Sequence, residues 1–222
     1  MSSQHELKYT EVGEVKSIRG CIVVVSGFSS CINGQMVQFG FGTYGMIVGF
    51  TPEEAHVLIL KESTSIKTGD EVRASMEPFL VPVGKNFIGR VVTSLCEPFD
   101  GLGSIQADEH NTIWPTAPGI LDRQVLAEPL ETGTKVLDSM IPIGLGQRQL
   151  ILGNKSTGKT TFITDVILNQ KHTGVVCIYC AIGKARSQLA RVVQLFNDYN
   201  AFDYSIIVAA PSSAPPGPRW TS

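Results

Sequence analysis

No apolar run in these 222 residues approaches the ~18 residues of a membrane-spanning helix. The opening residues, Met1-Ser2-Ser3-Gln4-His5-Glu6, lack the apolar core of a secretory signal. An excess of charge of one sign is also missing. Eighteen Lys and Arg stand against 20 Asp and Glu, a net charge of −2, so no global basic field argues for nucleic acid. Cysteine is sparse and odd in number: five, irregularly spaced, which fits reduced, buried thiols better than a disulfide framework. Cys177 and Cys180 formally read C-x-x-C, but they lie in the apolar run Val175–Ile182. On a strand, positions three apart face opposite sides, so the two sulfurs cannot easily share a metal. His5, His56, His110 and His172 are scattered, with no ligand spacing. What remains is an ordinary globular composition, 43% hydrophobic and 17% charged. The length suits one large domain or two small ones, and the expected setting is the cytosol or an organelle interior.

Against that background one stretch carries chemistry. Gly153-Asn154-Lys155-Ser156-Thr157-Gly158-Lys159-Thr160 matches G-x-x-x-x-G-K-[ST], the Walker A phosphate-binding loop. The apolar run Gln149–Leu152 before it reads as a buried strand. Phe162, Ile163, Val166 and Ile167 after it recur at helical spacing. A strand, a glycine loop and a helix N-terminus make an anion site, because loop N–H groups point inward and the helix dipole adds partial positive charge. Gly153 and Gly158 let the backbone turn tightly and approach phosphate. The pattern assigns Lys159 to the β- and γ-phosphates and the Thr160 hydroxyl to Mg²⁺. The nucleotide-binding set is Gly153, Asn154, Lys155, Ser156, Thr157, Gly158, Lys159, Thr160 and Thr161, with ATP or ADP and Mg²⁺ as the ligands.

The chain before this loop reads differently. Residues 1–10 are polar. Val12–Ile18, Cys21–Val25, Gln35–Phe39, Gly45–Phe50, His56–Leu60 and Glu71–Ala74 read as short strands. Asn33-Gly34 is a hairpin signal, and Thr68-Gly69-Asp70 marks a further turn. Five or six strands at close spacing suggest a small closed barrel, with a β-sandwich as the alternative. Gly89–Thr93 reads as another strand. Residues 98–120, rich in Pro and Gly, form a long connection that packs the barrel against the later part of the chain. Beyond the loop, strand 175–182, a helix with Leu189, Val192, Val193 and Phe196 on one face, and strand 205–210 alternate as in a parallel α/β sheet. The Pro-rich stretch 211–222 cannot continue a sheet. There is no internal repeat.

A small barrel, then Pro-Ile-Gly-x-Gly-Gln-Arg at 142–148, then the Walker loop, resembles the rotary ATPase alpha/beta superfamily, and within it the alpha-type chains of F-type ATP synthase. The matching pieces are Pro82-Val83-Gly84, Gly89-Arg90-Val91-Val92, Pro98-Phe99-Asp100-Gly101, Ala117-Pro118-Gly119-Ile120, Glu128-Pro129, Thr132-Gly133 and Asp138-Ser139. Asn169-Gln170-Lys171 and Ala181-Ile182-Gly183-x-x-Arg186-Ser187 complete the set. The resemblance runs from about residue 11 to 210. It implies an N-terminal small β-barrel followed by a truncated RecA-like α/β P-loop nucleotide-binding domain. The divisions are a polar segment 1–10, a barrel 11–77 and an incomplete nucleotide-binding domain 78–222.

The resemblance also implies a hetero-hexameric ring of alternating alpha and beta subunits around a central shaft subunit. The ring contacts a membrane proton channel indirectly and no nucleic acid. The complex would be peripheral, on the cytoplasmic face of an energy-coupling membrane or in an organelle matrix or stroma. In that family catalytic chains place a glutamate directly after a glycine at the end of the second strand. Here Lys184 follows Gly183, and a charged lysine cannot accept a proton from water. A site that holds Mg-ATP without turning it over is therefore expected, with no catalytic residue. Asn154, Lys155 and Ser156 depart from the usual Asp-Arg-Gln of alpha-type loops, and Leu145 stands where Arg is usual. The Walker B strand and aspartate, the arginine finger and the C-terminal helical domain are not found, so the sheet is expected to have an unpaired edge and an uncovered face. Two other readings stay open: a barrel-mediated interaction fragment, and a stand-alone P-loop NTPase of the same superfamily.

Overall fold

A computed structural model describes residues 9–60, 66–113, 115–119, 121–123 and 125–212. The expectations for most of the polar N-terminal segment and for the Pro-rich stretch beyond 212 lie outside the described residues.

Six antiparallel strands close on themselves: β1 (Tyr9–Arg19), β2 (Ile22–Ser26), β3 (Gln35–Phe39), β4 (Tyr44–Phe50), β5 (Glu54–Ile59) and β6 (Glu71–Pro78), in the order β1-β2-β5-β4-β3-β6. This is the barrel expected from the sequence, and closure leaves no strand edge unpaired. Alternate residues point inward. Val23 and Val25, Val37 and Phe39, Ala55 and Val57, and Val72 and Ala74 fill the interior, each at most 2% exposed. One expectation is corrected. Asn33-Gly34 does form a turn, but not a hairpin: β2 pairs with β1 and β5, and β3 pairs with β4 and β6. The dipeptide sets a local reversal, whereas the barrel's order sends the two strands to different neighbours.

The barrel meets the rest of the chain through its outer surface. Met46, Leu58 and Leu60 are buried there, with Phe79, Leu95 and Ile113 from beyond the barrel packed on them. Next come β7 (Leu80–Val83), β8 (Val91–Thr93) and β9 (Glu109–Thr112), with β7 and β9 forming an antiparallel pair. β10 (Pro129–Leu130) and β11 (Ile143–Gly144) make a second small pair around α1 (Lys135–Met140).

After the glycine loop come α2 (Lys159–Asn169), β12 (Cys177–Ile182), α3 (Arg186–Asp198) and β13 (Ser205–Ala210). A parallel sheet of order β12-β13-β8 results, with β8 supplied from far earlier in the chain. Leu189, Val192 and Phe196 of α3 bury one face of it, as the apolar spacing predicts, while of the expected apolar positions in α2 only Ile167 is buried and Ile163 is exposed. Phe196 sits edge-on between Tyr179 and Phe202, at centroid distances of 6.1 and 5.8 Å. On the other face β12 is uncovered, whereas Val92 of β8 is buried there. Along β12, Cys177, Tyr179 and Ala181 are buried while Ile178, Cys180 and Ile182 are exposed. Cys177 and Cys180 thus lie on opposite faces, as expected.

A second correction concerns the run before the glycine loop. Gln149–Leu152 is not a strand, and Leu150 and Leu152 are each 80% exposed. No described strand lies beside it to accept its backbone hydrogen bonds or cover its side chains, and a buried strand needs both.

The long connection is anchored by one ion pair. Arg90, just before β8, donates from Nε to Asp100 Oδ2 at 2.7 Å and from Nη2 to Oδ1 at 2.9 Å. The amides of Val91 and Leu102 also donate to this carboxylate, at 3.1 and 3.0 Å. The two side chains are 15% and 11% exposed. The guanidinium beside Asp100, helped by the two amides, holds its carboxyl well below the usual carboxylate range.

This packing can be tested at two positions. Asp100→Asn should lower the denaturation midpoint at neutral pH in chemical denaturation, because it leaves the Arg90 guanidinium without its counter-charge. The folded carboxyl titrates below its unfolded counterpart. The pair's contribution is therefore complete above pH ~4, and the gap between wild type and variant should narrow as the pH falls below that. Phe196→Ala should cost about 3–5 kcal/mol in the same assay, since it empties the centre of an aromatic cluster.

Candidate functional site

The Gly153–Thr160 segment folds as a loop that feeds directly into α2. Gly158, at φ 88°, precedes the helix in a left-handed conformation that disfavours a side chain, and no side chain caps the helix start. The first intrahelical bond closes from the Phe162 amide to the Gly158 carbonyl at 2.9 Å. The amides of Lys159, Thr160 and Thr161 have no acceptor one turn back, so this helix end presents free donors and the positive end of its dipole. At Gly153 the constraint is close approach: a Cβ would lie 2.6 Å from Thr157 Oγ1. Ser156, at φ 66°, takes a left-handed conformation as a non-glycine residue. Such strain is common where a loop must aim its amides inward.

Lys159 arches back over this loop. Its Nζ donates to the Gly153 carbonyl at 2.6 Å and to the Asn154 carbonyl. Thr157 Oγ1 donates to the same Asn154 carbonyl at 2.9 Å. These bonds close the loop on itself and hold the ammonium at its mouth. Residues Gly153 to Gly158 and Thr161 are exposed, while Lys159 and Thr160 are half-buried. The structure thus brings the whole predicted set together on one loop and the first turn of one helix. The segment leading into that loop is exposed rather than sheet-bound.

On the neighbouring side a cavity of about 300 Å³ lies between α2, β12 and α3. Its polar lining comprises Thr160, Thr161, Thr164, Lys184, Gln188 and Arg191. Tyr179 and Ala181 contribute the covered face of β12. Lys184 is fixed through its backbone: the Gly183 amide donates to the Ala210 carbonyl at 2.8 Å, and the Lys184 carbonyl accepts from the Ser212 amide at 3.0 Å. Lys184 stands out in the sequence, but Gln188 and Arg191 do not. Gln188 and Arg191 lie three apart within α3 and so share one helix face, and that spacing is the signal that could have found them. A larger cavity, about 740 Å³, lies between α3 and the 99–102 loop and contains none of the predicted site residues.

The segment ahead of the loop is tied to the far end of α2. Asn169 Nδ2 and Gln170 Nε2 both donate to the Glu131 carbonyl, at 2.9 and 2.7 Å. Asp138 accepts from the Thr132 hydroxyl at 2.6 Å and from the Thr132 and Gly133 amides, each at 3.0 Å. These donors hold the Asp138 carboxyl below its ordinary range, with the hydroxyl bond the largest cause. Both clusters are structural clamps on the entry and exit of the site rather than parts of it.

The donor set bears on the metal. Among the described residues no group of three or more His, Cys, Asp or Glu is arranged to hold an ion. Thr160 offers one hydroxyl, and no carboxylate is found among the described residues lining the adjoining cavity. Mg²⁺ keeps several waters and is commonly held by carboxylates together with substrate phosphates. The residues here fit a Mg²⁺ that arrives on phosphate oxygens and takes one protein ligand. They do not fit one held by protein alone.

Comparison with known proteins agrees with this architecture. The model of the ATP synthase alpha/beta family beta-barrel domain matches residues 9–75, and that of the same family's nucleotide-binding domain matches residues 133–222. Two chains named ATP synthase subunit alpha, from Streptococcus pneumoniae strains Hungary19A-6 and CGSP14, are each 41% identical over 206 residues. That alignment covers 93% of this chain and 41% of each relative, so the chain spans about two fifths of the length of the relatives it matches. With a closed barrel leading into a glycine loop and a parallel sheet, the chain belongs to the ATP synthase alpha/beta family and is similar to its alpha subunits.

Proposed function

We propose that this chain acts as an alpha-type subunit of an F-type, proton-translocating ATP synthase and holds ATP or ADP at Gly153–Thr161 without hydrolysing it. In this reading the loop is a Walker A P-loop: its amides and the α2 N-terminus receive the phosphates, and Lys159 swings from the loop carbonyls to the β- and γ-phosphates. Thr160 supplies the one protein oxygen to a nucleotide-borne Mg²⁺, which would neutralise phosphate charge when bound. The barrel, 11–77, and the nucleotide-binding region, 78–222, are taken as the two units. The partners are beta subunits in an alternating six-membered ring and a central shaft subunit, with the membrane proton channel contacted indirectly. No helix among the described residues is long and apolar enough to cross a membrane, which is compatible with a peripheral place on an energy-coupling membrane.

The observation that carries the non-catalytic assignment is Lys184. It lines the same cavity as Thr160 and Thr161, at the strand-end position where the family's catalytic chains carry a glutamate. Hydrolysis requires a group that orients water for attack, and a charged ammonium offers no acceptor.

Titration of the full chain with a fluorescent ATP analogue should give saturable binding. Lys159→Ala should weaken it by at least about tenfold, the loss of a charge-assisted contact to phosphate. Phosphate release should stay at background in both proteins. Unchanged binding in Lys159→Ala would remove the nucleotide assignment. Turnover that disappears with Lys159→Ala would instead make the chain an NTPase in its own right.

A further inference from the structure

Lys184 and Arg191 are the charged groups among the described residues lining the small cavity beside the glycine loop. Neither forms an ion pair with any described residue. The cavity also receives Thr160 and Thr161, from the uncapped and electropositive first turn of α2. Two cations and a helix N-terminus around one cavity repel one another, and an anion in that space would relieve the repulsion. The hydroxyl of Thr164 is already committed, to the carbonyls of Thr160 and Thr161 at 3.1 and 2.9 Å. The charge that the cavity presents is therefore positive, beside neutral donors such as Gln188 and the Thr160 and Thr161 hydroxyls.

Lys159 reaches back to the loop carbonyls, whereas Lys184, just beyond β12, lines the cavity onto which Thr160 also opens. We propose that Lys184 determines the specificity of the site by facing the terminal phosphate of a bound nucleoside triphosphate. The site then prefers a triphosphate to a diphosphate and keeps that preference without a divalent cation. This inference rests on the nucleotide assignment above. The physical basis is charge substitution. A triphosphate brings more negative charge than a diphosphate, and that charge is usually offset by Mg²⁺. A lysine ammonium is a compact point charge that can take over part of that role. Arg191 adds to the field from one turn along α3.

The test is calorimetric titration of the full chain and of Lys184→Gln with ATP and with ADP, in excess Mg²⁺ and again in excess EDTA. The wild type should keep its preference for ATP in EDTA. Lys184→Gln should lose about tenfold in ATP affinity in EDTA while its ADP affinity moves less than about threefold, as removal of one charge-assisted contact to the terminal phosphate requires. Lys184→Glu should lose more. Without nucleotide, the melting temperature of Lys184→Gln should be no lower than that of the wild type, since the bonds that hold Lys184 are made by its backbone and a repulsive charge is removed. An unchanged ratio of ATP to ADP affinity in Lys184→Gln overturns the proposal. Lys159→Ala separates the two failures. If it abolishes binding while Lys184→Gln does not alter the ratio, only the role of Lys184 falls. If Lys159→Ala binds like the wild type, or the wild type binds neither nucleotide, the nucleotide assignment falls and this proposal with it.

Discussion

The region beyond the barrel depends on one long-range pairing. Val91–Thr93 lies parallel to Ile207–Ala209, in register, so a strand from the first half of the chain closes the sheet on the side away from β12. The Gly89 amide donates to the Ser205 carbonyl at 2.9 Å, and the Ile207 amide to the Arg90 carbonyl at 3.1 Å. Arg90 in turn holds Asp100, which ties the long connection to the same strand. With β8 in place, β13 is central, paired on its other side with β12. Lys184, just beyond β12, shares a cavity with Thr160 of α2.

The short sequence pieces that carry the family resemblance turn out to meet one another. Gly89-Arg90-Val91-Val92 binds Pro98-Phe99-Asp100-Gly101 through the ion pair and a bond from the Phe99 amide to the Val91 carbonyl at 2.8 Å. Thr132-Gly133 binds Asp138, and Asn169-Gln170 clasps Glu131 between them. Pro129 and Leu130 pair with Gly144 and Ile143. These residues are specific because each supplies one half of a polar contact whose other half is equally particular. Removing either half would leave a donor or acceptor without its partner.

The legibility of the sequence varies with the range of the forces involved. The barrel strands are readable because inward positions alternate, as at Val23 and Val25 or Val72 and Ala74, and this period is a local property. The faces of α3 and β12 are readable for the same reason. Asn33-Gly34 misleads because the partner of a strand is chosen by closure of the whole barrel rather than by the turn beside it. Leu150-Ile151-Leu152 misleads because an apolar run becomes a strand only when another strand lies alongside. The pairs β7–β9 and β10–β11 carry no alternating pattern, with Pro82, His110 and Pro129 among their residues, and they give no signal in the sequence. At the candidate site, the loop residues are visible in sequence because their spacing is chemical. Gln188 and Arg191 are not, because their place beside Thr160 comes from the packing of α3 on α2 and β12.

The closed barrel has a consequence for the order in which the molecule is built. Every barrel pairing falls within the segment from Tyr9 to Pro78, so the barrel can be completed while later residues are still being synthesised. β8 comes soon after it but gains its partner only when Ser205–Ala210 has emerged. Domains tend to fold N-terminal first during translation, and non-local parallel pairings are slow. The nascent chain therefore passes through a stage with a finished barrel joined to a strand that still waits for its partner.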